Sequence, residues 1–205
     1  MVQKLDYLKE SPSQTAGPYV HIGCTPEFSG IAGVFPDDLG STMITGPVTG
    51  EEITITGQVF DGMGAPLRDV LLEIWQADAT GLFNSPSETR GQADTGFTGW
   101  GRCASDQETG EFHFHTIKPG RVPWHEGSLQ APHITVWIVA RGINLGLHTR
   151  CYFDDEVETN EQDPILNRIE HGFRKETLMA RKQSTGAYRF DIRLQGDDET
   201  VFFDI

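Results

Sequence analysis

"ITITGQVFDGMGAPLRDVLLEIWQ", residues 53–76, is the stretch on which the fold turns. Ile53, Ile55 and Val59 recur at period two, which sets one apolar face on an extended chain. The chain then turns through Asp61-Gly62-Met63-Gly64 and enters a second apolar run, Val70 to Trp75. Strand, turn, strand is the only economical reading. The same grammar continues outward. "WGRCASDQETGEFHFHTI" (100–117) pairs two runs across a turn near Gly110, and "HITVWIVARG" (133–142), "LHTRCYF" (147–153) and "AYRFDIRLQGDDETVFFDI" (187–205) follow. Short strands punctuated by Gly and Asp, with no βαβ alternation, indicate an all-β sandwich. One short helix is expected in "DPILNRIEHG" (163–172), with Asp163 as N-cap, Pro164 at the first helical position and Gly172 at the stop.

Residues 1–50 differ from the rest, being rich in Gly, Pro, Ser and Thr with little periodicity. They read as an irregular N-terminal arm, while 51–205 form the sandwich. The arm is not filler: Tyr7, Tyr19, Val20, Ile22, Phe28, Ile31, Val34 and Phe35 need burial somewhere, against the domain or another subunit. At 205 residues, 37% hydrophobic and 22% charged, the chain suits a folded protein with one domain and an arm. Sixteen Lys plus Arg against 30 Asp plus Glu give a net charge of −14, which argues against nucleic acid and anionic membrane surfaces. Cys24, Cys103 and Cys151 form no CxxC and no disulfide framework, and no signal-peptide pattern or apolar membrane span is evident. A reducing cytoplasm is the expected compartment.

Several groups could carry chemistry. His113 and His115 of "HFH" share a strand face at chelating separation, and would need a third and fourth ligand to hold a metal. His133 opens an apolar strand, where a hydrogen-bonded core imidazole is the plain alternative to a ligand. Asp154, Asp155 and Glu156 could serve a hard cation or simply form a solvated turn. Arg141 leaves "VWIVA" at a strand end, where an oriented guanidinium could hold a carboxylate, and Arg150 lies across "GINLGLHT" from it. No P-loop, dinucleotide fingerprint or Ser/His/Asp ordering is present.

Longer blocks go further. "SPSQTAGPYVHIG" (11–23), "GQVFDGMGAPLRDVLLEIWQADATG" (57–81), "TIKPG" (116–120), "APHI" (131–134), "ARGINLGLHTRCYFDDE" (140–156) and the terminal "YRFDIRLQGDDETVFFDI" together resemble the intradiol ring-cleaving dioxygenases over essentially the whole chain. The resemblance implies a prealbumin-like sandwich of mixed topology. It also implies a non-haem Fe(III) held by two Tyr and two His, since a hard ferric ion suits phenolates and catecholates. The matching positions here are Phe83, Val122, His133 and Thr135. Three of the four donors are thus absent, so the resemblance implies a chain without a metal, paired with a homologous iron-bearing beta subunit in an αβ protomer that assembles further.

By the same resemblance, Thr15, Gly17, Pro18, Tyr19 and Arg141 form a wall of the substrate cleft. The implied reaction cleaves an anionic catechol, 3,4-dihydroxybenzoate, with O2 to 3-carboxy-cis,cis-muconate, using iron on the partner and no catalytic residue of this chain. Two rivals remain open at this point. One is an independent metalloenzyme built on His113 and His115. The other is a non-catalytic prealbumin-like binding or scaffold subunit.

Overall fold

The computed structural model describes residues 15–144 and 146–204. After helix α1 (Pro18–Cys24) come nine strands: β1 (Glu52–Phe60), β2 (Leu71–Trp75), β3 (Trp100–Ala104), β4 (Glu111–Ile117), β5 (His133–Val139), β6 (Leu147–Phe153), β7 (Met179–Ser184), β8 (Ala187–Arg189) and β9 (Ile192–Arg193). Two more short helices, α2 (Val157–Glu161) and α3 (Gly172–Lys175), lie between β6 and β7. The hydrogen-bonded path runs β3-β2-β5-β6-β7-β8-β1-β4, with β9 beside β1. Most pairs are antiparallel, but β1/β8, β1/β9 and β6/β7 are parallel, so the topology is mixed as expected.

Alternation in the sequence becomes burial in the fold. Ile53, Ile55 and Val59 of β1, Phe112 and Phe114 of β4, and Ile134, Val136 and Ile138 of β5 all enter one core with Cys151 and Phe153 of β6. Both halves of the path contribute to it, which is what makes the sheet a sandwich. Gly57 sits where only a glycine fits, because a Cβ there would come 1.8 Å from the Phe190 carbonyl oxygen. A smaller apolar cluster of Ala131, Tyr152, Leu166 and Leu178 lies on the outer side of β5 and β6, under the segment that follows α2.

Two local expectations changed. The helix expected over 163–172 is a single 3-10 turn at Leu166–Arg168, and Gly172 begins α3 instead of ending a helix. Asp163 does cap the turn, since its Oδ1 accepts from the backbone N–H groups of Ile165 and Leu166. Its Oδ2 accepts from Ala131 N–H, so the residue is spent stitching this segment to β5. The arm, expected to be irregular, contains α1, started by Pro18 at its first turn after Gly17.

Candidate functional site

Two places bear on function, and they sit at opposite ends of β5. The first is where the arm meets the turn between β5 and β6. Thr15 Oγ1 accepts from Gly142 N–H at 2.7 Å and lies 3.5 Å from the Ala140 carbonyl oxygen it donates to. Gly142 can offer its N–H there because it turns the chain at φ 91, a conformation that favours glycine. One helical turn on, His21 Nε2 is 3.1 Å from the Asp69 carbonyl oxygen. The Asp69 carboxylate in turn pairs with Arg141 Nε at 3.3 Å. The arm is therefore clamped at both ends of a cleft of about 430 Å³.

Gly17, Pro18, Arg141, His21, Ile22, Arg68 and Asp69 all line this cleft. The structure thus brings three of the five carried-over positions, Gly17, Pro18 and Arg141, into the lining of one opening, with Thr15 bonded to the turn after β5. Tyr19 differs: it is 85% exposed and projects from the arm. His21, Arg68 and Asp69 escaped the sequence reading, although His21 lies inside the quoted "GPYVHIG" block. Arg141 keeps an 81% exposed side chain, so its pair with Asp69 is weak and leaves the guanidinium available to an anion.

The second place is the outer face of β5, which carries His133 and Thr135, two of the four positions the resemblance matches to metal ligands. Thr135 lies between Trp75 on β2 and Arg150 on β6, its register partners. The Phe83 ring stacks on Trp75 at 5.8 Å with 9° between planes. Val122 is buried, and its carbonyl accepts from Gln130 N–H. His133 is buried too, with Nδ1 2.8 Å from the Ala131 carbonyl oxygen and its ring 5.5 Å from that of Tyr152. Burial first, and the Arg150 charge second, pull the His133 pKa down to about 4.

Fe(III) does not fit this set. Phe83 and Val122 offer no side-chain donor atom, Thr135 offers a weak hydroxyl, and the one imidazole is buried, bonded to the Ala131 carbonyl and within reach of the Arg150 charge. Among the described residues no group of three or more His, Cys, Asp or Glu comes together as a metal site. His113 and His115 are exposed on the outer face of β4, and His115 Nε2 pairs with Glu52 at 3.2 Å. The acidic turn is structural. Asp155 binds Lys118, Lys182 and the Tyr188 hydroxyl. Although burial opposes it, these bonds hold Asp155 down at about 2.

Comparison with known proteins identifies the family. A family model described as a dioxygenase matches residues 25–196. The protocatechuate 3,4-dioxygenase alpha chain of Pseudomonas putida is 45% identical over 203 residues, covering 98% of both chains. The beta chain of the Burkholderia cepacia enzyme is 34% identical over 164 residues, covering 76% of this chain and 69% of that one. Among solved structures, the dioxygenase domain of a carbohydrate-binding fusion from Streptomyces sp. SirexAA-E shares the fold at TM-score 0.54 and 24% identity, over 93% of this chain and 100% of that one. Sandwich, arm and end-to-end similarity converge: the chain belongs to the intradiol ring-cleaving dioxygenase family, alongside the protocatechuate 3,4-dioxygenase alpha chains.

Proposed function

We propose that this chain is the metal-free subunit of an intradiol dioxygenase that converts 3,4-dihydroxybenzoate and O2 to 3-carboxy-cis,cis-muconate. Its partner is a homologous beta-type subunit that holds the Fe(III). The observation that carries this reading is the contrast between the two ends of β5. At one end three of the four matched ligand positions, Phe83, Val122 and Thr135, carry no iron donor; at the other the arm and Arg141 are held in place by Thr15, His21 and Asp69. That relatives exist as separately named alpha and beta chains supports a pair of unlike subunits.

Residues 1–50 act as an arm reaching to the partner, and 51–205 as the sandwich that carries it. Tyr19, Ile22, Phe28, Ile31, Val34, Phe35 and Leu39 are all large, apolar and exposed within one short segment, more than a lone surface tolerates without a purpose. Covered by the partner subunit, this segment would set Thr15, Gly17, Pro18 and Tyr19 beside the partner's metal.

The bound iron supplies the activation of the catechol towards O2; this chain's residues do the positioning. Gly17, lacking a Cβ and with nothing within 4 Å of where one would stand, lets backbone approach a ring. Pro18 stiffens that backbone. Arg141 offsets the substrate's carboxylate, which the net charge of −14 would otherwise repel. Three cysteines without disulfides suit a reducing cytoplasm, and no described helix is long and apolar enough to cross a membrane. The test is to purify the chain alone and with an iron-bearing homologue. Iron and ring cleavage only in the complex support the reading, while stoichiometric iron and turnover in the lone chain would defeat it.

A further inference from the structure

The outer face of β5 and β6 is not filled by what replaced the metal donors. Trp124, Thr135, Arg150, Arg168 and Phe203 surround a cavity of about 390 Å³ there. That size lies within the range of small-ligand pockets. Thr135, the position the resemblance matches to the family's second His, lines this cavity, so it opens beside one of the displaced ligand positions.

Its chemistry has changed sign in a definite way. Arg150, half-buried, donates from one terminal nitrogen to Gln130 Oε1 at 2.7 Å and to the Tyr152 hydroxyl at 3.2 Å. Those bonds fix the guanidinium plane and leave its other terminal nitrogen without a protein acceptor among the described residues. Arg150 is also in no ion pair among the described residues. The carboxylate behind it, Asp163, is already committed: it accepts from Ala131, Ile165 and Leu166 N–H and from the Tyr152 hydroxyl at 3.3 Å. It reaches Arg150 only through that tyrosine. A half-buried guanidinium, held on one edge and in no ion pair among the described residues, is an arrangement that favours a bound anion.

The walls indicate what kind of anion. The Arg150 guanidinium carbon is 5.8 Å from the Phe203 ring centre, and that of Arg168 is 5.7 Å from the Trp124 ring centre. Ile165 and Ile169 complete an apolar flank. Among the described residues Asp204 is the one acidic side chain lining the cavity, and it is exposed. A flat apolar body with one negative group matches this surface better than a bare inorganic ion, which would gain nothing from the two aromatic faces.

We propose that this cavity is a metal-free binding site for a small aromatic carboxylate, with Arg150 holding the carboxylate and the ring lying among Trp124, Phe203 and Ile165. The site uses only this chain's own residues and does not depend on the reading of the partner's iron.

The test is calorimetric titration of benzoate into the full chain, with benzamide as the neutral analogue of the same shape. One saturable site is expected, weakened about tenfold or more by Arg150→Gln and by the change to benzamide, and weakened by added salt. Arg181→Gln should leave it unchanged, because that side chain is paired with Glu176 and does not line the cavity. Circular dichroism checks that each variant folds. Should Arg150→Gln not fold, Arg168→Gln and the anomalous signal of 4-bromobenzoate in crystals of the unaltered chain locate the ligand. Bromine density beside Thr135 and Arg150 supports the proposal. No saturable binding, equal binding of benzamide, or loss with Arg181→Gln and not with Arg150→Gln would overturn it.

Discussion

At the scale of single residues, His133 shows what became of a metal ligand. Its imidazole is buried, bonded to the Ala131 carbonyl and held neutral by burial and the Arg150 charge, with a pKa near 4 instead of 6.5. A depressed folded-state pKa fixes the sign of the pH dependence. The stability linked to neutral His133 is fully present above pH 6.5 and is lost as pH falls towards 4, by up to about 3 kcal/mol. Denaturant melts across that window should therefore slope more steeply for the natural chain than for His133→Gln; equal slopes would remove this role. Arg141 acts in the opposite setting, exposed and only loosely paired to Asp69. In the complex, Arg141→Ala should raise KM for an anionic catechol several-fold with iron content unchanged. An unaltered kcat/KM would take Arg141 out of the cleft.

At the scale of elements, one close contact and one clamp carry most of the consequence. Gly57 in β1 faces the Phe190 carbonyl so closely that Gly57→Ala must push the two segments apart, straining the bond from Phe190 N–H to the Thr56 carbonyl. A loss of about 2–3 kcal/mol in denaturant unfolding is expected. Thr15 is the clamp of the arm. Thr15→Val keeps the size and removes both bonds to the β5–β6 turn, so it should lower kcat/KM of the complex while Thr15→Ser restores it. The strands were legible in the sequence because the period-two runs at 53–59 and 111–117 translate directly into a buried and an exposed face. α1 was not legible, since seven residues containing two β-branched side chains and a glycine carry no helical periodicity, and Pro18 was the sole local sign. The turn at 163–172 misled because Asp163 does cap, but spends its second oxygen on Ala131, a partner far away in the chain. The row Trp100, Trp75, Thr135, Arg150 across β3, β2, β5 and β6 depends on strand register, which no short motif encodes. The resemblance could name Thr135 as a displaced ligand; it could not show that Arg150 stands opposite.

At the scale of the whole molecule, the sandwich supports two ends of one strand that have diverged in purpose. The end with His133 and Thr135 sets a guanidinium and aromatic rings beside a cavity. The end with Arg141 retains an arm whose exposed apolar residues ask for a partner. On the proposed function a homologous beta-type subunit brings the metal, since Phe83, Val122 and Thr135 replace three of the four donors the resemblance implies. Division of labour between unlike subunits is open to one direct measurement: iron per chain and cleavage of 3,4-dihydroxybenzoate, for this chain alone and co-purified with an iron-bearing homologue. The account predicts no iron and no turnover alone, and both in a stable complex. Iron bound by the lone chain with ring cleavage, or full activity of the homologue without this chain, would contradict it.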